Sequence, residues 1–126
     1  MPTSTGPNSP SIFTRIVARE IPASIVFEND EVIAFNDIAP QAPVHVLIVP
    51  KTERYTTVAE LAEGDPRLLA HVVEIAQQLG DELTGGQFRL IFNTGEAAGQ
   101  TIFHVHAHLL GTPGGSGQLE EGTLAH

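Results

Sequence analysis

Phe103-His104-Val105-His106-Ala107-His108-Leu109-Leu110 sets three histidines at every second position, with apolar residues between and after them. That is the period of a β-strand, whose successive side chains point to opposite faces. Read so, His104, His106 and His108 line one face, while Val105, Ala107 and Leu109 turn the other way, toward a core. Upstream, His45 opens a second alternating run, His45-Val46-Leu47-Ile48-Val49-Pro50, and can share the histidine face.

Working outward, the histidine strand is expected over 102–110, preceded by a strand over 88–93 and a glycine-bearing loop over 94–100. Earlier β-like runs cover 25–28, 32–36 and 44–49; Asn29-Asp30 reads as a tight hairpin between the first two. Ser11 is a fitting cap for a short helix with Ile12, Phe13, Ile16 and Val17 on one side, ended by Ile21-Pro22. Thr57-x-x-Glu60 suits a capping box for a very short helix, and Asp65-Pro66 the start of a longer one over 66–83. Its broad apolar stripe (Leu68, Leu69, Val72, Val73, Ile75, Ala76, Leu79) covers more than one face, which suggests burial against a second subunit. Gly85-Gly86 stops it. The expected fold is α+β: a five-stranded, mostly antiparallel sheet with one long helix and one or two short ones. Residues 1–10 read as a disordered leader, 11–111 as the folded domain and 112–126 as a flexible tail.

Bulk properties narrow the function. The chain has 126 residues, 41% hydrophobic and 17% charged, enough for one core and without an apolar run near the ~20 residues of a membrane span. With 6 Lys+Arg against 15 Asp+Glu the net charge is -9, a poor footprint for a nucleic-acid backbone. Any anionic ligand must find its positive potential locally. The absence of cysteine removes disulfides, thiolate nucleophiles and cysteine-based zinc sites. Without the basic and apolar regions of a signal peptide, a cytoplasmic location is the default reading.

Three readings of the histidines compete. The plainest is a solvated, histidine-rich edge strand. A metal site is sharper, but histidines two apart on a strand have Cα atoms ~6.6 Å apart and the outer pair ~13 Å. No cysteine or nearby carboxylate is evident to complete a four-donor set, so no metal and no other cofactor is expected. The third is phosphorus chemistry. An imidazole is mostly neutral at pH 7 and nucleophilic enough to form a phospho-imidazole intermediate. Neighbouring histidines can bind phosphate oxygens or move protons, and the loop 95–99 could aim backbone N–H groups at a phosphate.

The segment resembles the signature of the histidine triad (HIT) family, His-φ-His-φ-His-φ-φ with φ apolar. The likeness extends over 12–111 through IFTRIVAREIPASIVFE, AFNDIAPQAPVHVLIVPK and FNTGEAAGQTIFHVHAHLLG, and is strongest to the Hint branch. The resemblance implies that His106 is the nucleophile that attacks the α-phosphorus of a nucleoside 5'-phosphoramidate and becomes nucleotidylated. It implies that the His104 carbonyl holds the His106 ring, that His108 contacts the phosphate and leaving group, and that His45 supports them. Asp37 corresponds to the carboxylate that takes the ribose hydroxyls. Phe13, Ile16, Phe35, Ile38 and Leu47 correspond to the apolar base slot. Asn93, Gly99, Gln100 and Thr101 correspond to the phosphate region, and Lys51 to a residue near the leaving group. The implied partners are a purine nucleotide such as an AMP conjugate and a second copy of the chain, the dimer forming one continuous sheet.

Ala107 is small for its place in the signature, Asn36 stands where histidine is common, and the tail has no tryptophan. A dinucleoside polyphosphate hydrolase and a nucleotide-binding scaffold with weak residual activity are the alternatives.

Overall fold

In the computed structural model, which describes residues 10–120, helix α1 (Ile12–Val17) begins where Ser11 accepts a hydrogen bond from the Thr14 amide at 3.1 Å. Most of the expected leader, 1–9, and the end of the expected tail, 121–126, lie outside the described residues. Strands β1 (Ile25–Glu28) and β2 (Val32–Asn36) form the expected hairpin. Its turn is closed by Asn29, whose side-chain oxygen accepts from the Glu31 and Val32 amides at 2.9 and 2.8 Å.

Strand β3 (Val44–Pro50) leads to α2 (Val58–Gly64) and then α3 (Pro66–Thr84). Both helices start at the expected caps, Thr57 accepting from the Glu60 amide and Asp65 from the Leu68 amide, with Pro66 in the first turn of α3. Gly85 then adopts φ 62°, and the Gly86 amide reaches back to the Gly80 carbonyl at 2.9 Å. That left-handed termination is available to glycine at little cost. Strands β4 (Phe88–Ile91) and β5 (Ala107–Gly111) complete an antiparallel sheet in the order β1-β2-β3-β5-β4.

The sheet has two covered faces. On one, Val46, Ile48, Val105, Ala107 and Leu109 pack against Leu68, Val72, Ile75, Ala76 and Leu79 of α3. On the other, Ile33, Phe35, Leu47 and Val49 pack beneath Phe13 and Ile16 of α1. Burying apolar area on both sides at about 25 cal/mol per Å² is what holds the layers together. Among the described residues no helix is long and apolar enough to cross a membrane.

Three expected boundaries are corrected. Helix α1 is not ended by Ile21-Pro22: it stops at Val17, and Arg19 already takes a left-handed φ of 65°. The histidine strand does not run over 102–110: the ladder starts at Ala107, so of the three signature histidines only His108 sits within it. At Val105 the backbone has left the sheet, its amide bonding the Tyr55 carbonyl instead of a strand. Likewise β4 stops at Ile91 and not at 93, because its partner β5 offers no register beyond the Ile91–His108 pair. A strand exists only where a neighbour accepts its hydrogen bonds, and sequence periodicity does not report the neighbour's length. The alternation itself survives: Val105, Ala107 and Leu109 face α3, and the histidines face the α1 side.

Candidate active site

Central placement of β5, between β3 and β4, excludes the solvated edge-strand reading. His45, His104, His106 and His108 are all buried. Buried imidazoles need partners, and the partners here fix where each proton sits.

His106 Nδ1 is 2.8 Å from the His104 carbonyl oxygen. A carbonyl can only accept, so Nδ1 carries the hydrogen and Nε2 keeps the lone pair. His45 Nδ1 accepts from the Gln41 amide at 2.9 Å, which puts the His45 proton on Nε2. That Nε2–H lies 3.0 Å from His108 Nδ1, so the neutral His108 ring carries its own hydrogen at Nε2. His104 is held from both sides: Nε2–H donates to the Pro50 carbonyl at 2.7 Å, and Nδ1 takes the Ser11 hydroxyl at 2.6 Å.

Burial pushes the His106 imidazole below its ordinary value of 6.5; its hydrogen bond to His104 and the nearby Asp37 carboxylate oppose this only in part. The same burial lowers His104, against the pull of the Pro50 carbonyl and of Glu53. At neutral pH both rings are therefore uncharged. His106 in particular offers an unprotonated Nε2.

A cavity of about 190 Å³ opens beside this ring. His106, His108, Asn36, Asp37 and Thr101 contribute its polar lining; Phe13, Ile16, Phe35 and Leu47 are among its apolar walls. Ile38 reaches the rim but is 96% exposed, so it borders the slot more than it fills it. The ring of Phe13 meets His106 edge-on, centroids 4.9 Å apart, which couples the apolar wall to the reactive ring. Walls that sequence reasoning missed come from the connection between α1 and β1, where Ile21, Pro22 and Ala23 line the cavity. The Ile21-Pro22 pair was legible only as a helix stop.

Other expected residues take different places. Gln100 is buried with all its polar atoms committed: Oε1 accepts from the Gly95 amide, and Nε2 donates to the Thr56 and Ile102 carbonyls. It braces the loop. The amides of Ala98, Gly99 and Gln100 are bonded to carbonyls of that same loop, and that of Gly95 to Gln100, so these four do not form a phosphate cradle. Gly95 and Gly99 are there for their φ of 90° and 99°. Asn93 is partly buried past the end of β4 and outside the cavity lining. Lys51 pairs with Glu28 at 2.8 Å and lines a separate cleft.

The fold supplies one carboxylate that spacing did not reveal. Asp37 Oδ2 lies 3.3 Å from His45 Nε2, and the possible ligand atoms of Asp37, His45 and His108 fall within 4.8 Å of one another. The Gln41 amide works against a cation there. It occupies the Nδ1 lone pair of His45 and so leaves the proton on the very nitrogen that would ligate.

The HIT domain family matches residues 18–114. This chain belongs to the HIT family. A HIT-like protein of Synechocystis is 48% identical over 102 residues, covering 80% of this chain and 89% of its own length. The adenylylsulfatase HINT1 of Arabidopsis thaliana is 42% identical over 113 residues, covering 86% of this chain and 75% of the relative, which agrees with the Hint-branch likeness. Among solved structures, a HIT family hydrolase from Legionella pneumophila superposes with TM-score 0.77 at 37% identity, over 90% of this HIT chain and 99% of its own. One from Clostridium thermocellum gives TM-score 0.75 at 42% identity, covering 85% and 92%.

Proposed function

We propose that this HIT protein is a nucleotide hydrolase that cleaves the P–N bond of nucleoside 5'-phosphoramidates through a nucleotidyl intermediate on His106. The observation that carries the reading is the His106–His104 hydrogen bond, which leaves an unprotonated Nε2 on a cavity-lining ring. Nε2 attacks the α-phosphorus, a P–Nε2 bond forms, and the P–N bond breaks as the leaving nitrogen takes up a proton. Water then attacks the same phosphorus, the P–Nε2 bond breaks, and the nucleoside monophosphate leaves. The contact with His45 leaves the His108 hydrogen on Nε2, which supports a role for His108 as donor to the phosphoryl oxygens. Asp37, at the polar end of the apolar slot, suits the ribose hydroxyls, and Phe13, Phe35 and Leu47 suit the flat base.

The active form we propose is a homodimer. The outer edge of β4 has no strand partner among the described residues, and Val73 on α3 is 46% exposed. An open edge beside an apolar helix face is the arrangement that sheet continuation covers.

The deciding experiment is release of AMP from adenosine 5'-phosphoramidate by wild type and His106→Ala. Wild-type turnover is expected, with a loss on the order of 10⁴-fold or more in the variant and AMP binding retained. Equal turnover by both proteins overturns the covalent route. Absence of turnover by either, with AMP still bound, makes the protein a nucleotide-binding module. Adenylyl sulfate is the second substrate to test, given the name of the Arabidopsis relative.

A further inference from the structure

Helix α1 walls the cavity, yet its first cap residue is also bonded to the histidine segment. Ser11 Oγ lies 2.6 Å from His104 Nδ1, across 93 residues of sequence. Because the Pro50 carbonyl claims the Nε2 proton of His104, Nδ1 is an acceptor and the Ser11 hydroxyl is the donor. The single hydroxyl proton has one other taker, Thr14 Oγ1, at a poorer 3.3 Å. Ser11 Oγ meanwhile accepts the Thr14 amide as the cap of α1.

Ser11 is itself clamped. Its amide donates to Glu53 Oε2 at 2.7 Å, and the Thr14 hydroxyl donates to the same oxygen at 2.6 Å. Those two bonds hold the Glu53 carboxyl below its ordinary value, so it stays ionised and keeps accepting. One line of contacts thus runs from Glu53 through Ser11 to the His104 ring, and from the His104 carbonyl to His106 Nδ1. Phe13, two residues into α1, packs on both rings, with centroids 5.6 Å from His104 and 4.9 Å from His106.

We infer that Ser11 is a positioning residue for the nucleophile, its hydroxyl holding His104 so that the His104 carbonyl keeps His106 in the Nδ1–H form. Seating of α1 against the histidine segment and arming of His106 are then one event. The inference rests on the reading of His106 as nucleophile, but its geometry is testable without turnover.

The panel is Ser11→Gly and Ser11→Thr. Glycine is an adequate helix cap but has no hydroxyl; threonine keeps both functions. Two readouts are taken on the full chain: kcat and KM for adenosine 5'-phosphoramidate, and ring ¹⁵N shifts of His106 in the free protein. Ser11→Gly is expected to lower kcat about tenfold, the scale of one hydrogen bond, with KM within about twofold. The His106 nitrogens should move from distinct Nδ1–H and bare Nε2 values toward those of an exchanging imidazole, and Ser11→Thr should restore both. A rise in KM alone would reduce Ser11 to a helix cap and overturn the inference. So would unchanged His106 shifts in Ser11→Gly. A wild type that shows no turnover refutes the proposed function, while the shifts still decide the role of Ser11.

Discussion

His106 Nδ1 and the backbone oxygen of His104 stand 2.8 Å apart, so the main chain of one histidine sets the tautomer of the next. The spacing of two makes this possible. An extended backbone carries the carbonyl of residue i past the side chain of residue i+2 only if no strand partner takes that carbonyl first. The ladder of β5 begins at Ala107, and the oxygen of His104 is available for this reason.

The first consequence concerns rate against pH. Burial places the His106 pKa below 6.5, and the base form is the nucleophile. The kcat/KM for adenosine 5'-phosphoramidate should therefore rise along an acid limb whose midpoint lies below 6.5, then stay level to pH 8. A midpoint at or above 6.5 would contradict the lowered pKa.

Stability should follow pH in two stages. A histidine lowered in the fold binds its proton more readily when unfolded, so native stability is complete above 6.5 and declines as pH falls below it. Glu28 and Glu53 are lowered carboxylates, whose contribution is present above 4.5 and lost as pH drops through their folded values. Urea midpoints measured from pH 8 to 3.5 should fall first as pH drops below 6.5 and again below 4.5. A flat upper stage would mean that His104 and His106 titrate normally.

Asp37 is the proposed ribose acceptor. Asp37→Ala should raise KM for adenosine 5'-phosphoramidate by about tenfold or more, the scale of hydrogen bonds to an ionised group. The analogue lacking both ribose hydroxyls separates this from damage to His45, which Asp37 also approaches at 3.3 Å. If the variant loses as much on the analogue as on the parent, the carboxylate serves the histidines and not the ribose.

Gly85→Ala should destabilise the protein by about 2 kcal/mol, lowering Tm by roughly 5 °C or more. The residue sits at φ 62°, and an added Cβ would fall 2.7 Å from the Gly114 carbonyl, a backbone atom that cannot rotate aside. The measurement is thermal unfolding by circular dichroism. An unchanged Tm would show that the turn at Pro113–Gly115 does not press on the end of α3.

Much of this fold was legible because its signals are local. Ser11, Thr57 and Asp65 cap helices through atoms within three residues, Asn29 closes its own turn, and Gly85 ends α3 through its own φ. The triad motif likewise named the histidine face, since side-chain alternation is a property of the chain alone.

Local rules failed where the partner was distant or was a backbone atom. Gln100, a phosphate contact only by family resemblance, has its side-chain amide engaged with Gly95, Thr56 and Ile102. The strand boundary at Ala107 depends on how far β3 and β4 extend. The tautomers of His45 and His104 are set by Gln41 and Pro50 through main-chain groups every residue shares, so no side-chain pattern could announce them; for His106, only the family resemblance pointed to the His104 carbonyl. By itself the sequence determined which residues alternate, where helices start, and that four histidines can meet. Only tertiary structure decided which partner each imidazole nitrogen meets, because a buried hydrogen bond is chosen by whatever the fold places within 3 Å of it.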